Sequence, residues 1–464
     1  MEKFTIEIIS EHLGKVEYNN LPKDVIEKAK ICILDSIGCT LGGSVTNIGK
    51  IVINSSIAKE CGLSTIFGHK KKTSLTSAVF INSTLSNILD FDDTYIGHPG
   101  ATIIPVALNL AEYTNTCGKD LLTAIVLAYE ISIRIGLALR PVAEERKYVH
   151  GHGTWQVFGA VTAASKMMGL NAGEIANAFG IAGANAPVRS VMKTVYGQTG
   201  PTMAKNNYGT ASEVGLQSAL LASNGFKGPR DIFDGDTGFW RMIGTSYSDL
   251  HKTMNSNLGA DYVILKNTFK PYPCCRLIHS SIDAVLDVIN ENGINFSDIE
   301  KILIKTISPL NKPPFFVQQD PDPENMTAGQ SNAPYTIACA LRNIEPVEWY
   351  ERENMLDETL LEITKKIEFE ADPEADKLFR KDQGTIPAKA IIYLKNGKDY
   401  LKEVSIPKGD PRNPLTLEDL TKKFKMLASK ALDNEYQVMS LINMIMNLEK
   451  LEDVNELIKM LSQT

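Results

Sequence analysis

The sequence lacks the cysteine pairs of a metal ribbon or a disulfide scaffold. Its seven cysteines are odd in number and irregularly spaced, and no CxxC pair occurs. We expect reduced thiols that mostly serve packing, including the adjacent Cys274 and Cys275, in a cytoplasmic protein, because disulfides rarely persist in that compartment.

The sequence also lacks an excess of positive charge and a long apolar run. Its net charge of -7 argues against nucleic acid and anionic membranes as partners. The first residues lack the charged-then-apolar pattern of a signal peptide, and we find no apolar run near the roughly 18 residues of a membrane span. An acidic small molecule would therefore need a local group of cations.

The pattern of apolar residues divides the chain in two. Helical spacing dominates to about residue 265 and returns over 414–462, whereas alternation typical of strands occurs at 299–307 and 365–370. A hairpin is predicted at 388–406, with Asn396-Gly397 as a type I′ turn. We therefore predict a mainly α fold: a large helical domain formed by 1–268 plus 408–464, and an inserted smaller α/β domain at 269–407. The helices are expected at 21–45, 74–90, 101–115, 118–139, 159–168, 209–223 and 280–292.

The first motif with chemical potential is DFDDTYIGHPG, residues 90–100. Three carboxylates in four residues are compatible with a Mg²⁺ site, with a solvated helix end, or with an aspartate that orients the nearby His98. The sequence alone leaves these three interpretations open.

The second motif is YVHGHGTW, residues 148–155, which carries His150 and His152. We expect the two motifs to meet in space. Glycine permits close approach of the backbone to a ligand, a helix N-terminus attracts anions, and histidine moves protons near neutral pH. The histidines lack the i, i+4 pairing of a strong zinc motif. These features favour a site for a polyanionic small molecule and proton transfer.

Three cations are candidates for holding such an anion. Lys205 precedes a helix of small residues, and Lys270 and Arg276 lie in the rigid stretch KPYPCCRLIH. Arg276 could clamp a carboxylate through two hydrogen bonds. The alternative for Lys205 is an ordinary surface turn.

Several stretches together resemble the MmgE/PrpD family, in order and over nearly the whole chain. They are DFDDTYIGHPGATIIPVALNLAE, HGHGTWQVFGAVTAASKMMGL, KNNYGTASEVGLQSALLASNGFKGP, KPYPCCRLIHSSIDA, QSNAPYTIACAL and PKGDPRNPLT. The resemblance implies that the α/β domain is a lid, that the protein is a homodimer, and that no metal or other cofactor is needed. It also implies a set of site residues: Asp90, Thr94, His98, His150, Lys205 and Tyr335.

The family resemblance implies a lyase that acts beside a carboxylate of a small di- or tricarboxylic acid. The spacing from Thr94 to His98 is shorter than in cis-aconitate decarboxylase, so we expect first a 2-methylcitrate dehydratase-like reaction. Cis-aconitate decarboxylation and iminodisuccinate-type epimerisation are the alternatives, and a non-catalytic helical binding protein or a zinc hydrolase would be different classes.

We assign roles to the site residues as follows. His150 and His98 would act as base and acid on opposite sides of the substrate, because elimination needs both. One aspartate, Asp90 or Asp93, would orient an imidazole, and Tyr335 would donate near the leaving group. His152 is expected to be structural. The expected substrate-binding residues are Asp93, Thr94, Lys270 and Arg276, with Lys205 stabilising developing charge.

Overall fold

The computed structural model describes residues 3–462 except 56–60, 140–148, 150, 190–207, 247, 314, 317–321, 323–324 and 433. Helices dominate the first part of the described chain, as the apolar spacing predicts. They are α1 Thr5–Lys15, α2 Lys23–Val45, α3 Asn47–Asn54, α4 Leu75–Asn87, α5 Pro99–Thr114, α6 Gly118–Ala138, α7 His152–Trp155, α8 Val157–Met167, α9 Ala172–Ala184, α10 Tyr208–Ser223, α11 Phe239–Met242 and α12 Leu250–Asn255. Between α3 and α4 the short strands β1 (Ser64–Thr65) and β2 (Lys72–Thr73) pair antiparallel.

The later part mixes helices with a four-stranded sheet. Its strands are β3 Ile299–Thr306, β4 Ile367–Ala371, β5 Ala388–Leu394 and β6 Asp399–Val404. The order across the sheet is β4-β3-β5-β6, with β3 and β4 parallel and the other pairs antiparallel. The helices of this part are α13 His279–Asn292, α14 Met326–Ser331, α15 Ala333–Leu341, α16 Arg352–Met355, α17 Glu358–Thr364 and α18 Pro373–Lys381. The chain then returns to helix in α19 Leu417–Ala431, α20 Glu435–Met446 and α21 Asn455–Lys459.

The predicted hairpin is present, but its turn is not type I′. That turn needs positive φ at both central residues, and of Asn396 and Gly397 only Gly397 has it, at 83°. The Gly397 amide donates to the Leu394 carbonyl oxygen at 2.9 Å, and the Leu394 amide donates to Lys398 at 2.8 Å. The connection is therefore a three-residue loop with glycine in the left-handed position, the next most common hairpin.

Apolar side chains form two main buried clusters among the described residues. The larger one draws on α1, α2, α5, α6, α8 and α9 and on the C-terminal helices α19 to α21. The second lies around the four-stranded sheet and α13, and it also includes Ile53, Ile81 and Leu85 from α3 and α4. The sheet region thus packs against the first helices through apolar contacts.

One helix meets a test for a membrane span, although no apolar run of that kind was expected from the sequence. By length and composition α6 could cross a membrane, with a mean hydropathy of 1.8, and α2 with α3 would pass the same test as a pair bent by 85°. However, 94% of the apolar window of α6 is buried inside the protein. A buried core helix passes such a test as readily as a membrane span does. The length and composition of α6 are therefore only weak evidence for a membrane span.

Candidate functional site

The connection between α4 and α5, residues 88–98, is here called the histidine loop. Three of its residues have positive φ: Asp90 at 48°, Ile96 at 52° and Gly97 at 118°. Such values are unusual for residues with a Cβ and are common at functional sites. The φ of Gly97 favours glycine, and a Cβ there would lie 2.5 Å from Nε2 of Gln156, so that this side chain would have to shift.

The second histidine motif lies against this loop. The indole Nε1 of Trp155 donates to the Ile96 carbonyl oxygen at 3.1 Å, beside the contact between Gln156 and Gly97. His152 begins α7 and packs its ring against Trp155, with centroids 5.1 Å apart. The two motifs therefore meet, although His150 itself lies outside the described residues.

His98 is buried and is the N-cap residue of α5, which begins at Pro99. Its Nδ1 lies 3.1 Å from Oδ1 of Asp92, and the Asn87 amide donates to the same carboxylate oxygen at 2.7 Å. A carboxylate that accepts from Nδ1–H fixes the tautomer and leaves Nε2 available as a base. The residue that orients His98 is therefore Asp92 and not Asp90 or Asp93. Whether Asp90 or Asp93 orients the other predicted imidazole, His150, stays a prediction, because His150 lies outside the described residues.

Asp90 forms an ion pair with Lys270 instead. The Lys270 ammonium donates to Asp90 Oδ1 at 2.6 Å and to the Asp90 carbonyl oxygen at 2.7 Å. Nε2 of His98 lies 3.6 Å from Asp90 Oδ1, too far for a good hydrogen bond. Asp90 is thus bound by Lys270, and the imidazole of His98 is its close neighbour.

Asp90, Asp92 and His98 offer ligand atoms that lie within 4.8 Å of one another, which is compatible with a metal ion. However, Lys270 already places a positive charge on Asp90, and Asp92 accepts from Asn87 and His98. The protein's own cations and donors therefore satisfy Asp90 and Oδ1 of Asp92. Oδ2 of Asp92 is buried and has no hydrogen-bond partner among the described residues. The interpretation of these acids as a solvated helix end was wrong, because Asp90, Asp92 and Asp93 are all fully buried.

Asp93 points to a different set of donors. Its Oδ2 accepts from Tyr129 Oη at 2.7 Å and from the Asn267 amide, and its Oδ1 accepts from the Gly100 amide at 3.2 Å. Burial, followed by the nearby charges of Asp35 and Asp92, raises the pKa of Asp93 to about 7. Asp93 therefore bonds Gly100 in the first turn of α5 and the segment before Lys270.

The other predicted residues have varied surroundings. Thr94 pairs with Thr268 through two backbone hydrogen bonds, and its hydroxyl donates to Gly97. Arg276 donates to Asp410 Oδ2 at 2.7 Å, so its guanidinium is already bound by a carboxylate. Tyr335 is fully buried in the apolar cluster around the four-stranded sheet. Its hydroxyl donates there to the Trp349 carbonyl oxygen rather than to His98 or Asp92. Lys205, like His150, lies outside the described residues.

Two residues next to His98 were not predicted from the sequence. Asn87 ends α4 and bonds Asp92, as described above. Tyr208, the first residue of α10, is fully buried, with its ring centroid 5.7 Å from that of His98. Burial raises the pKa of the Tyr208 hydroxyl well above its ordinary value, and the charges of Asp92 and Asp90 raise it further. The only sequence signal for Tyr208 was its place in the KNNYG stretch beside Lys205.

His279 was not selected either, although it lies in the KPYPCCRLIH stretch. Burial lowers the pKa of His279 well below its ordinary value, and the charges of Lys270 and Arg276 lower it further. Its Nε2 lies 3.3 Å from the Cys274 carbonyl oxygen, an arrangement that suits a neutral imidazole with Nε2–H. His279 is therefore a neutral neighbour of the Lys270 segment.

Comparison with known proteins agrees with this arrangement of motifs. The MmgE/PrpD N-terminal domain matches residues 7–249 and the MmgE/PrpD C-terminal domain matches residues 272–449. Cis-aconitate decarboxylase of Mus musculus is 27% identical and the match spans 99% of this chain and 94% of the relative. The enzyme of that name from Homo sapiens is 26% identical over 99% of this chain and 95% of its own. The one from Aspergillus terreus is 22% identical over 96% and 93%. Because the two domains together match most of its length, the chain belongs to the MmgE/PrpD family and is an enzyme of that family.

Proposed function

We propose that the protein is a cofactor-independent lyase that acts beside a carboxylate of a small di- or tricarboxylic acid, with cis-aconitate decarboxylation as its reaction. The observation that carries this proposal is the buried pair of His98 and Asp92 beside the ion pair of Lys270 and Asp90. Relatives from animals and fungi that bear the decarboxylase name support this reaction over the 2-methylcitrate dehydration that the sequence favoured.

The chemistry needs one proton donor and stabilisation of negative charge. Cis-aconitate has a carboxylate on a CH2 group next to a carbon–carbon double bond. When the bond to this carboxylate breaks, carbon dioxide leaves and the electron pair forms a new double bond. The electrons of the old double bond take up one proton at the far carbon, which itself bears a carboxylate. Electrostatic stabilisation of that carboxylate lowers the barrier.

The described residues can supply both requirements. His98, oriented through Nδ1 by Asp92, would carry the proton on Nε2 and deliver it to the carbon. Lys270, held by Asp90, would attract the substrate carboxylate that gains charge. From the family resemblance we assign His150 to the opposite side of the substrate and Lys205 to a second carboxylate. Thr94 and Asp93 would shape the pocket, since both hold the backbone next to His98 and Lys270.

We further propose the division into a helical domain, 1–268 plus 408–464, and a lid, 269–407, that closes on the site in a homodimer. The two apolar clusters support the division, because the sheet region has a core of its own. Light scattering on the purified protein tests the dimer, and a monomer at assay concentration would contradict it.

The reaction is tested by incubating pure protein with cis-aconitate, 2-methylcitrate, citrate and iminodisuccinate and following the products by NMR. We expect loss of carbon dioxide from cis-aconitate. Dehydration of 2-methylcitrate or epimerisation of iminodisuccinate would move the assignment to another family reaction. Thermal stabilisation by these acids without turnover would favour a binding protein.

The metal content of the purified protein is measured in the same experiment. Protein purified without chelator should keep its activity after dialysis against EDTA. Stoichiometric zinc or magnesium with activity lost on chelation would contradict the cofactor-independent mechanism and assign Asp90, Asp92 and His98 to a metal.

A further inference from the structure

We propose that Lys423, on the C-terminal helix α19, is a positioning residue that fixes the two backbone segments of the site relative to each other. The inference rests on the proposed function. Lys423 is buried and lies far along the chain from the histidine loop. No motif in the sequence pointed to it.

The Lys423 ammonium has three donors, and three oxygen atoms surround it. It donates to Oδ1 of Asp35 on α2 at 2.7 Å, to the Phe91 carbonyl oxygen at 2.6 Å and to the Lys270 carbonyl oxygen at 3.1 Å. An ammonium group with three such partners is fully used. It has no remaining donor for a ligand, so its role is to hold the protein's own backbone.

The two carbonyl groups belong to the segments that build the site. Phe91 lies between Asp90, which binds Lys270, and Asp92, which orients His98. The Lys423 ammonium also lies 3.9 Å from the centroid of the Phe91 ring, a favourable cation–π arrangement. One side chain therefore fixes the backbone of the histidine loop relative to the backbone of Lys270.

Small residues on α2 let Lys423 reach this position. Gly38 and Gly42 lie on the face of α2 that meets α19, where a Cβ would come within 3.1 Å of Phe424 and 2.5 Å of Leu427. Their lack of side chains allows the two helices to approach closely. Asp35, three residues before Gly38 on α2, can then pair with Lys423.

A structural role alone would also make Lys423 sensitive to mutation, so the test separates the two roles. Lys423→Met removes the donor and leaves Asp35 buried without its partner, which is destabilising. The double variant Lys423→Met with Asp35→Leu removes the whole ion pair, a change that is often near neutral for stability. In both variants the carbonyl groups of Phe91 and Lys270 lose the ammonium.

Lys30 on α2 provides a matched control. It is also buried, and its ammonium bonds the Met446 carbonyl oxygen at 3.1 Å, Glu449 at 3.3 Å and Glu27 at 2.8 Å. These partners are not part of the site. Lys30→Met should therefore lower the melting temperature without changing kcat.

Kinetics on the folded fraction of each variant gives the first readout. We expect Lys423→Met and the double variant to lose roughly 10- to 100-fold in kcat, the scale of a small misplacement of catalytic groups, with a smaller change in KM. The double variant should recover melting temperature but not kcat. Recovery of wild-type kcat in the double variant would overturn the proposal. If Lys423→Met does not fold, the double variant takes its place in each comparison.

Hydrogen exchange gives a readout that does not need turnover. Amides of residues 88–98 should exchange about tenfold faster in Lys423→Met than in Lys30→Met, because the loop loses its anchor. Equal exchange in the two variants would overturn the proposal. If wild-type protein turns over none of the tested acids, the proposed function fails while this comparison still decides the role of Lys423.

Discussion

Two charged clusters of the protein differ in burial and consequently in what they can do. In the histidine loop, Asp90 and Asp92 are fully buried and bind Lys270 and His98. On the sheet, Lys301 pairs with Glu368 at 2.6 Å, but both side chains are substantially exposed. Charges in water are screened and contribute little, whereas buried charges depend on their partners. Burial, rather than the number of charges, distinguishes the candidate site.

The largest expected effect is on stability. Lys270→Met leaves Asp90 buried without its ammonium partner and should lower the free energy of unfolding by about 3–5 kcal/mol. Lys301→Met removes an exposed pair and should cost less than about 1 kcal/mol. Urea unfolding of both variants measures the contrast. Equal losses would mean that burial does not separate the two clusters.

The next effect is on catalysis at His98. His98→Ala should lower kcat about 100-fold or more, the usual scale for removing a general acid–base group. His152→Ala should change kcat far less, because that ring packs on Trp155. Rates on the substrate identified by the NMR panel measure both. An inactive His152→Ala enzyme beside a fully active His98→Ala enzyme would place the proton transfer in the second motif.

A smaller effect concerns pH. The folded-state pKa of Asp93 is about 7, above its ordinary value of 3.8, so the folded protein holds this proton more tightly than the unfolded chain. The resulting stabilisation is complete below about pH 4 and is lost as the pH rises through about 7. We expect the free energy of unfolding to fall by about 2 kcal/mol over this window. This fall is smaller than the whole pKa shift would give, because coupling to Asp35 and Asp92 spreads the ionisation over several groups.

Asp93→Asn supplies the comparison for this pH dependence. The variant has no carboxyl group to ionise at this position, so the stability difference between it and wild type should change between pH 4 and pH 7. Thermal unfolding at a series of pH values measures that difference. A constant difference would show that folding does not raise the pKa of Asp93.

The smallest effect is expected at Arg276. Because Asp410 already binds its guanidinium at 2.7 Å, Arg276→Gln should raise KM less than tenfold, equivalent to less than about 1.4 kcal/mol of substrate binding. Steady-state kinetics measures this change. A larger rise would mean that Arg276 exchanges Asp410 for a substrate carboxylate.

The helices around the site were predictable because local signals agree with the fold. Pro22 precedes α2, and Asn171 with Glu174 forms a capping box before α9, with the spacing that is typical of a helix start. The apolar spacing of each helix repeats over several turns. Such signals need no knowledge of distant residues.

The orienting carboxylate was not predictable by the same means. Asp90, Asp92 and Asp93 are close in sequence, but positive φ at Asp90 changes the direction of the chain there. As a result Asp92 reaches His98, Asp93 reaches Tyr129, and Asp90 reaches Lys270. Spacing allows an aspartate to orient the histidine as one of three interpretations, and only the backbone geometry decides that it does so and which aspartate it is.

Other contacts were unpredictable because they join remote parts of the chain. Nothing local in α19 indicates that Lys423 bonds Phe91, and nothing in the QSNAPYT stretch indicates that the Tyr335 hydroxyl is used by Trp349. Tertiary packing determines both. Motif comparison selects residue types, whereas burial and long-range contacts determine which of them face one another.

The central claim is that His98, held by Asp92, transfers a proton to the carbon of a polycarboxylate. The most direct measurement is turnover of cis-aconitate in D2O by wild-type protein and by His98→Ala, with deuterium in the product followed by NMR. The account predicts one deuteron per product molecule at a single carbon for wild type, and about 1% or less of that rate for His98→Ala. Product free of solvent deuterium, or full-rate deuteration by His98→Ala, would contradict it.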